Sequence, residues 1–346
     1  MSIGVLVVDD SQVIRDFLSL IINDSPDLKV IGTAPDAASA RHLIKTLRPD
    51  VLTLDVHMPG MDGIDFLTRL MKLNPMPVVM VSSFTKEGSQ TTLKALELGA
   101  VDFASKPLLK NPQSWENYAQ TLRDKIRAAH SAKIRFLNTN EKTAQTFQTN
   151  GVDESKFQFN PNAIIALGAS TGGPEAIKTF LEQMPKNCPP ILIVQHMPEH
   201  FTNAFAARLN RIVAPEVVES QGKEALAFGK VFVAPGNAHL FVPRAARHTA
   251  LSNTAPVCKQ RPSADVLFSS LTDKAKNVVA VLLTGMGKDG AAGLLKLRQA
   301  GAHTLAQDQK SALVYGMPRE AFELGAVEEL GNPFELAQKA LAFCAV

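Results

Sequence analysis

The sequence predicts an α/β protein of two domains, a (βα)5 unit followed by a doubly wound, mostly parallel sheet with an antiparallel hairpin insert. Three observations predict it. Short, largely apolar runs such as Ile3–Val8, Val51–Leu54 and 163–167 alternate with stretches whose apolar residues recur every three or four positions; strands buried on both faces and joined by helices read this way. The 346 residues exceed one typical domain of roughly 150. Polar residues with reactive side chains fall where the strands end, the edge at which open parallel sheets gather their chemistry.

In chain order, a buried-type strand at Ile3–Val8 runs into Asp9 and Asp10, then a helix at Gln12–Asn23 with Val13, Phe17, Leu20 and Ile21 at helical spacing. Strands follow at Lys29–Ala34, Val51–Leu54, Val78–Val81 and Val101–Ala104, with helices near 36–47, 62–73 and 88–98. The alternation implies a parallel sheet. Asp9, Asp10 and Asp55, then Ser82 and Ser83, then Lys106 and Pro107, stand at strand ends. Crowded carboxylates repel one another unless a divalent cation neutralises them, and Mg²⁺ is satisfied by one or two carboxylates, waters and a phosphate oxygen. Such a site suits phosphoryl transfer onto Asp55. Any one of these aspartates alone could be a helix cap or turn residue; their order and spacing together point to a site.

Val-Val-Asp9-Asp10-Ser, Leu-Asp55-Val-His-Met-Pro-Gly-Met-Asp-Gly, Met-Val-Ser82-Ser and Ser-Lys106-Pro resemble the receiver domain of bacterial response regulators, over about 106 residues. The resemblance implies a CheY-like fold in which Asp55 accepts the phosphoryl group and Asp9, Asp10 and Asp55 hold Mg²⁺. It further implies Ser82 as the switch hydroxyl, with Ser83 as its rival, Phe103 as the switch aromatic and Lys106 as the phosphate contact.

Trp115, Tyr118, Leu122, Ile126 and Ala129 place one amphipathic helix at 113–133, closing a first domain of residues 1–133. Its outer side is basic, which most simply makes a solvated face. The following stretch is rich in Asn, Thr, Gln, Lys and Glu, so residues 134–160 read as a linker and 161–346 as the second domain.

That domain repeats the alternation, with strands at 163–167, 190–195 and 278–284 and helices at 174–184, 199–210 and 290–300. Lys230–Pro243 predicts a hairpin turning at Pro235, Gly236 and Asn237. Ser170 follows the first strand in a Gly-bracketed turn, His196 follows the second, and Asp289 lies in a glycine-rich loop after the third. A serine hydroxyl becomes a nucleophile when an imidazole accepts its proton, and a carboxylate must orient that imidazole. Backbone N–H groups around Thr171–Gly173 and Gly285–Gly287 are candidates for an oxyanion hole. Alternatives stay open on the residues alone. The Ser170 turn opens a helix and could cradle a phosphate, Asp265 and Asp308 rival Asp289, and His200, His239, His248 and His303 are spare imidazoles.

Gly168-Ala-Ser-Thr-Gly-Gly-Pro, Val194-Gln-His-Met-Pro, Val233-Ala-Pro-Gly, Arg261-Pro-Ser-Ala-Asp-Val-Leu-Phe, Leu283-Thr-Gly-Met-Gly-Lys-Asp-Gly and Tyr315-Gly-Met-Pro-Arg-Glu resemble the catalytic domain of the CheB family of chemotaxis protein-glutamate methylesterases. The resemblance spans nearly all of 163–343. It implies Ser170 as nucleophile, His196 as base and Asp289 as orienting acid, with Thr171, Gly172 and Met286 as active-site neighbours. It also implies demethylation, and deamidation as a second reaction, of chemoreceptor side chains. Mg²⁺ belongs to the receiver and no cofactor to the catalytic domain. A CheA-type histidine kinase is the implied phosphodonor, and the unphosphorylated receiver is expected to restrain the catalytic edge.

Composition narrows the alternatives. Net charge is +3, with no concentrated basic stripe or helix-turn-helix pattern, so a nucleic-acid partner is not expected. No run approaches a membrane span, and the three widely spaced cysteines, Cys188, Cys258 and Cys344, suit a reducing, cytoplasmic setting.

Overall fold

The computed structural model describes residues 2–82, 86–106, 112–133 and 158–346. The chain divides into two compact units, Met1–Thr139 and Asn140–Val346.

The first unit alternates β1 (Ile3–Val8), α1 (Gln12–Asn23), β2 (Leu28–Ala34), α2 (Ala37–Leu47), β3 (Val51–Asp55), α3 (Gly63–Leu73), β4 (Val78–Ser82), α4 (Lys86–Glu97), β5 (Asp102–Ser105) and α5 (Pro112–Ser131). Its five strands are all parallel, in the order β2-β1-β3-β4-β5. The central strands β3 and β4 are buried along their whole length, which is why they read as largely apolar runs, with Thr53 inside β3 and the polar Asp55 and Ser82 at their ends. Edge strand β2 carries exposed Lys29 and Thr33. Helix starts are set locally: the Asp36 carboxylate accepts from Ser39 N at 2.8 Å, and that of Asp62 from Ile64 N at 2.6 Å.

The second unit contains β6 (Ile164–Ala169), α6 (Gly173–Leu181), β7 (Ile191–Gln195), α7 (Glu199–Leu209), β8 (Glu216–Glu219), β9 (Lys230–Val233), β10 (His239–Phe241), β11 (Ala250–Ser252), α8 (Ala264–Ser270), β12 (Val278–Leu282), α9 (Ala291–Gln299), β13 (His303–Gln307), α10 (Met317–Glu323), β14 (Glu329–Gly331) and α11 (Pro333–Cys344). Seven of these strands form a parallel sheet in the order β14-β13-β12-β6-β7-β9-β8. From β6 the chain builds outward through β7 toward β8 and β9, then returns to the other flank of β6 as β12. The carboxyl ends of β12, β6 and β7 therefore meet at a topological switch point. Phe180, Phe201, Phe205 and Phe268 are among the largest fully buried side chains.

The antiparallel insert is present but pairs differently from the expected Lys230–Pro243 hairpin. β9 joins the main sheet parallel to β7 and β8, while β10 pairs antiparallel with β11. The reason is burial: Val231, Phe232 and Val233 are covered on both faces, an environment that the centre of a parallel sheet provides and a surface ribbon does not. Of the stretch 134–160, residues 134–157 lie outside the described residues. Phe159 bridges Ala345 and stacks on Phe228, and Asn160 N donates to Cys344 O at 2.8 Å, so the second unit is tied down from Gln158 onward. No helix among the described residues is long and apolar enough to cross a membrane.

Candidate active site

Ser170 follows β6, His196 follows β7 and Asp289 lies beyond β12, the three adjacent strands of the switch point. Backbone bonds lace the first two turns together. Ser170 N–H donates to Thr284 O at 3.0 Å, His196 N–H donates to Ala169 O at 3.0 Å, and Gly173 N–H closes the serine turn on Ser170 O at 2.7 Å. Gly285 packs directly under the serine: a Cβ there would lie 2.7 Å from Ser170 Cβ. Any larger residue would push the serine from its place.

His196 Nε2 and Asp289 Oδ2 are 2.8 Å apart, with the imidazole side chain 6% exposed and the carboxylate 2% exposed. A neutral ring that donates Nε2–H to Asp289 carries its lone pair on Nδ1. That Nδ1 is buried and has no hydrogen-bond partner among the described residues. The other side of Asp289 is anchored as firmly: Oδ1 accepts from Ser263 Oγ at 2.6 Å and from Asp265 N at 3.3 Å, and Oδ2 from Ala264 N at 2.7 Å. Burial opposes the charge of Asp289, but the bonds from His196, Ser263 and Ala264 outweigh it and hold the carboxyl below its usual value.

Of the glycine-loop amides, those of Gly173 and Gly285 are bonded to Ser170 O and Val314 O. The N–H groups of Gly172 and Met286 make no hydrogen bond among the described residues, and Gly172, with φ of 76°, caps α6. Thr171 is buried beside them. The rival carboxylates do not take the place of Asp289 on His196, although Asp265 is its neighbour, carboxylate oxygens of the two and Cys258 Sγ lying within 4.8 Å of one another. Asp265 accepts from Gly293 N at 2.6 Å near the start of α9, and Asp308 accepts from Lys310 N and Ser311 N within its own turn. His239 is buried with Nε2 3.2 Å from Ala255 O, and His303 stacks on Phe343.

Sequence reasoning missed Gln195, Ser263 and Thr284. Thr284 Oγ1 lies 3.0 Å from Thr171 O and 3.1 Å from Val314 O, joining the serine turn to the loop before α10. All three are nearly fully buried polar side chains within or beside apolar runs, the one signal that could have marked them.

In the first unit, Lys106 Nζ stands 2.8 Å from both Asp9 Oδ2 and Asp55 Oδ2, and carboxylate oxygens of Asp9, Asp10 and Asp55 lie within 4.8 Å of one another. Burial pushes Asp55 up, Lys106 draws it back, and Asp9 adds to the rise; the net shift is upward. Burial works against the Lys106 charge, yet the two carboxylates keep its pKa raised. Asp9 Oδ2 is buried and, despite the nearby ammonium, receives no aligned hydrogen bond. A buried anionic oxygen beside two more carboxylates fits a hard divalent cation. Ser82 ends β4 fully buried, with Oγ 3.5 Å from Gly88 O, and Phe103 is buried in β5. Ser83 and Pro107 lie outside the described residues.

Residues 165–340 match the model of the CheB methylesterase family, and residues 5–113 that of the response regulator receiver domain. The chain is 55% identical over 340 residues to a protein-glutamate methylesterase/protein-glutamine glutaminase of Dechloromonas aromatica, covering 97% of each chain. It is 48% identical over 352 residues to the like-named protein of Methylobacillus flagellatus, covering 100% of this chain and 98% of that one. Among solved structures, the Thermotoga maritima CheB methylesterase catalytic domain is similar at 32% identity and a TM-score of 0.50, over 52% of this chain and 97% of that one. This chain belongs to the CheB methylesterase family, with a response regulator receiver domain ahead of the methylesterase domain.

Proposed function

We propose that Ser170, His196 and Asp289 form a hydrolytic triad that demethylates glutamate methyl esters on chemoreceptors. The observation that carries this reading is the buried His196–Asp289 pair at 2.8 Å, which leaves Nδ1 of the ring as an unpartnered base. Ser170 Oγ attacks the ester carbonyl while its proton passes to Nδ1. The tetrahedral oxyanion is met by backbone N–H groups of the Thr171, Gly172 and Met286 region. His196 then returns the proton to the departing methoxide, releasing methanol and leaving a glutamyl ester on Ser170. Water, deprotonated by the same imidazole, cleaves that ester to a free glutamate and restores the serine. A glutamine side chain gives the same acyl-enzyme with ammonia as leaving group, and the relatives' names include that glutaminase activity.

The receiver supplies control. Asp55 takes a phosphoryl group from a CheA-type histidine kinase, with Ser82, Phe103 and Lys106 as the residues that register it. Asp9, Asp10 and Asp55 would hold Mg²⁺, which when bound neutralises charge on the incoming phosphate. Lys106, already paired with Asp55, is placed to follow the new phosphate oxygens. A tenfold activation requires only about 1.4 kcal/mol of differential stabilisation.

The test is methanol release from methylated receptor membranes, with and without a small-molecule phosphodonor and Mg²⁺. Release that rises on phosphorylation, stays at the basal level in Asp55→Asn and vanishes in Ser170→Ala is expected. Absence of release from a wild-type chain whose Asp55 is phosphorylated would overturn the reading.

A further inference from the structure

Gln195 ends β7 immediately before the imidazole-bearing turn and is 2% exposed. Its Nε2 lies 2.9 Å from Ser170 O and 3.2 Å from His196 O. Two carbonyl acceptors fix which way the carboxamide faces, because the opposite assignment would set its oxygen against both carbonyl oxygens. The two hydrogens of one amide nitrogen thus bridge the backbone of the serine and the backbone of the histidine. Gln195 Oε1, by contrast, is buried without a hydrogen-bond partner among the described residues. It occupies the place where a side chain at position 173 would stand: a Cβ built on Gly173 would be 2.0 Å from that oxygen. A buried amide oxygen left unbonded costs about 1–3 kcal/mol. An apolar residue would avoid that cost but would withdraw the donor from both carbonyls, so what the carboxamide uniquely supplies is the link between the two turns.

We propose that Gln195 is a positioning residue for the hydrolytic reaction and that Gly173 is its socket. The inference rests on Ser170 and His196 being the nucleophile and base. By tying the two carbonyls to one planar group, Gln195 fixes the separation of the turns that carry those side chains. Holding Ser170 O also sets the plane of the Ser170–Thr171 peptide, and with it the direction of the Thr171 N–H on the peptide's opposite side. Nucleophile, base and a candidate oxyanion donor are thereby registered through one side chain. The second glycine of the Thr171-Gly-Gly turn has a matching reason: a methyl group there evicts the carboxamide.

The test uses the full chain and the variants Gln195→Met, Gln195→Glu and Gly173→Ala, each checked by thermal melting. One readout is the rate at which a fluorophosphonate labels Ser170; the other is kcat and KM for methanol release across pH. Misplacing reacting groups by about 1 Å costs on the order of 100-fold in rate. Gln195→Met and Gly173→Ala are therefore expected to lower labelling and kcat by roughly 10- to 100-fold, with KM little changed. Gln195→Glu is nearly isosteric, but its carboxylate faces two carbonyl oxygens. Its activity relative to wild type is expected to be lowest at high pH and to climb as pH falls, because a protonated carboxyl can donate to one of them. Wild-type rates in Gln195→Met, or a pH-independent ratio for Gln195→Glu, would overturn the proposal. Gly173→Ala keeps the Gln195 side chain in the protein and takes its seat, the new Cβ also meeting Ala169 Cβ at 2.8 Å, so wild-type rates there would overturn it even where a Gln195 variant folds poorly. Labelling needs only an activated serine, so a wild type that labels but releases no methanol counts against the proposed substrate, and the labelling rates of the variants still decide the role of Gln195.

Discussion

Replacing Asp289 by Asn removes one charge and almost no volume from the centre of the catalytic unit. The orientation of the new amide follows from its neighbours. At the Oδ2 position the NH₂ would face Ala264 N–H, a fixed donor at 2.7 Å, whereas at Oδ1 it can donate to Ser263 Oγ, whose hydroxyl rotates, against only the longer Asp265 N–H contact of 3.3 Å. The oxygen therefore stays toward His196, the ring keeps its Nε2–H, and what is lost is the charge that stabilises the imidazolium. The pair is 2.8 Å apart and nearly fully buried. With an effective dielectric of about 20, unit charges at that distance attract by roughly 6 kcal/mol. The imidazolium is only partly formed when the barrier is crossed, so a loss of about 4 kcal/mol, or roughly 10³-fold in kcat/KM, is expected. Methanol release under substrate-limiting conditions measures it, with circular dichroism and melting to confirm the fold. A loss of less than tenfold in a folded variant would show that Asp289 caps the start of α8 and does little else, and the proposed base would need another partner.

Other expectations follow from the same contacts. Ser263→Ala removes a 2.6 Å hydroxyl donor to a buried carboxylate and should cost about 1.5–3 kcal/mol in denaturant unfolding at pH 7. Because Asp289 is held below 3.8, its contribution is present above that pH and is lost as pH falls through its folded value; the gap between variant and wild type should therefore narrow below about pH 4, and a gap that widens in acid would refute the assignment. Burial, together with Asp289 and Asp265, pushes the Cys258 thiol up to about 11. Alkylation by iodoacetamide should accordingly be slow at pH 7 and rise about tenfold per pH unit toward that value, despite the exposure of the residue; fast labelling at pH 7 would contradict it. Lys106→Ala leaves the buried carboxylates of Asp9 and Asp55 facing each other without a cation, and should destabilise the receiver by about 3–5 kcal/mol near neutral pH. Added Mg²⁺ should restore part of that loss in a melting experiment, and no restoration would argue against a cation among these three aspartates.

What was legible in the chain was whatever a local pattern can encode. A strand buried on both faces is mostly apolar, so a polar residue at its end stands out; Asp55 at the end of β3, Ser170 after β6 and His196 after β7 were visible for that reason. The pairing of β9 was not, because Pro235-Gly236-Asn237 is a turn signal wherever the chain goes next, while strand partners depend on which sheet offers cover on both faces. Gln195, Ser263 and Thr284 were hidden for a related reason. Their partners are 25, 26 and 113 residues away, at Ser170, Asp289 and Thr171, and the neighbouring apolar runs hint at burial without naming the partner.

The two units place their chemistry at the same structural address and differ in what they bring to it. Each is a parallel sheet whose strand ends converge, so a few residues per loop suffice to assemble a site. In the receiver, three carboxylates are gathered together and a lysine pairs with two of them, Asp9 and Asp55, an arrangement under electrostatic tension that a cation and a phosphoryl group can relieve. In the methylesterase domain the one buried carboxylate is fully satisfied, by Ser263, two backbone amides and His196. The first site is built to change state and the second to hold one. That contrast locates the response to phosphate in the receiver, where charges are imperfectly paired. On the proposed reading the geometry of Ser170, His196 and Asp289 does not change with the state of Asp55: phosphorylation should raise the rate of methanol release without altering the pH dependence that Asp289 and His196 impose. A changed pH profile on phosphorylation would mean that the triad itself is rearranged.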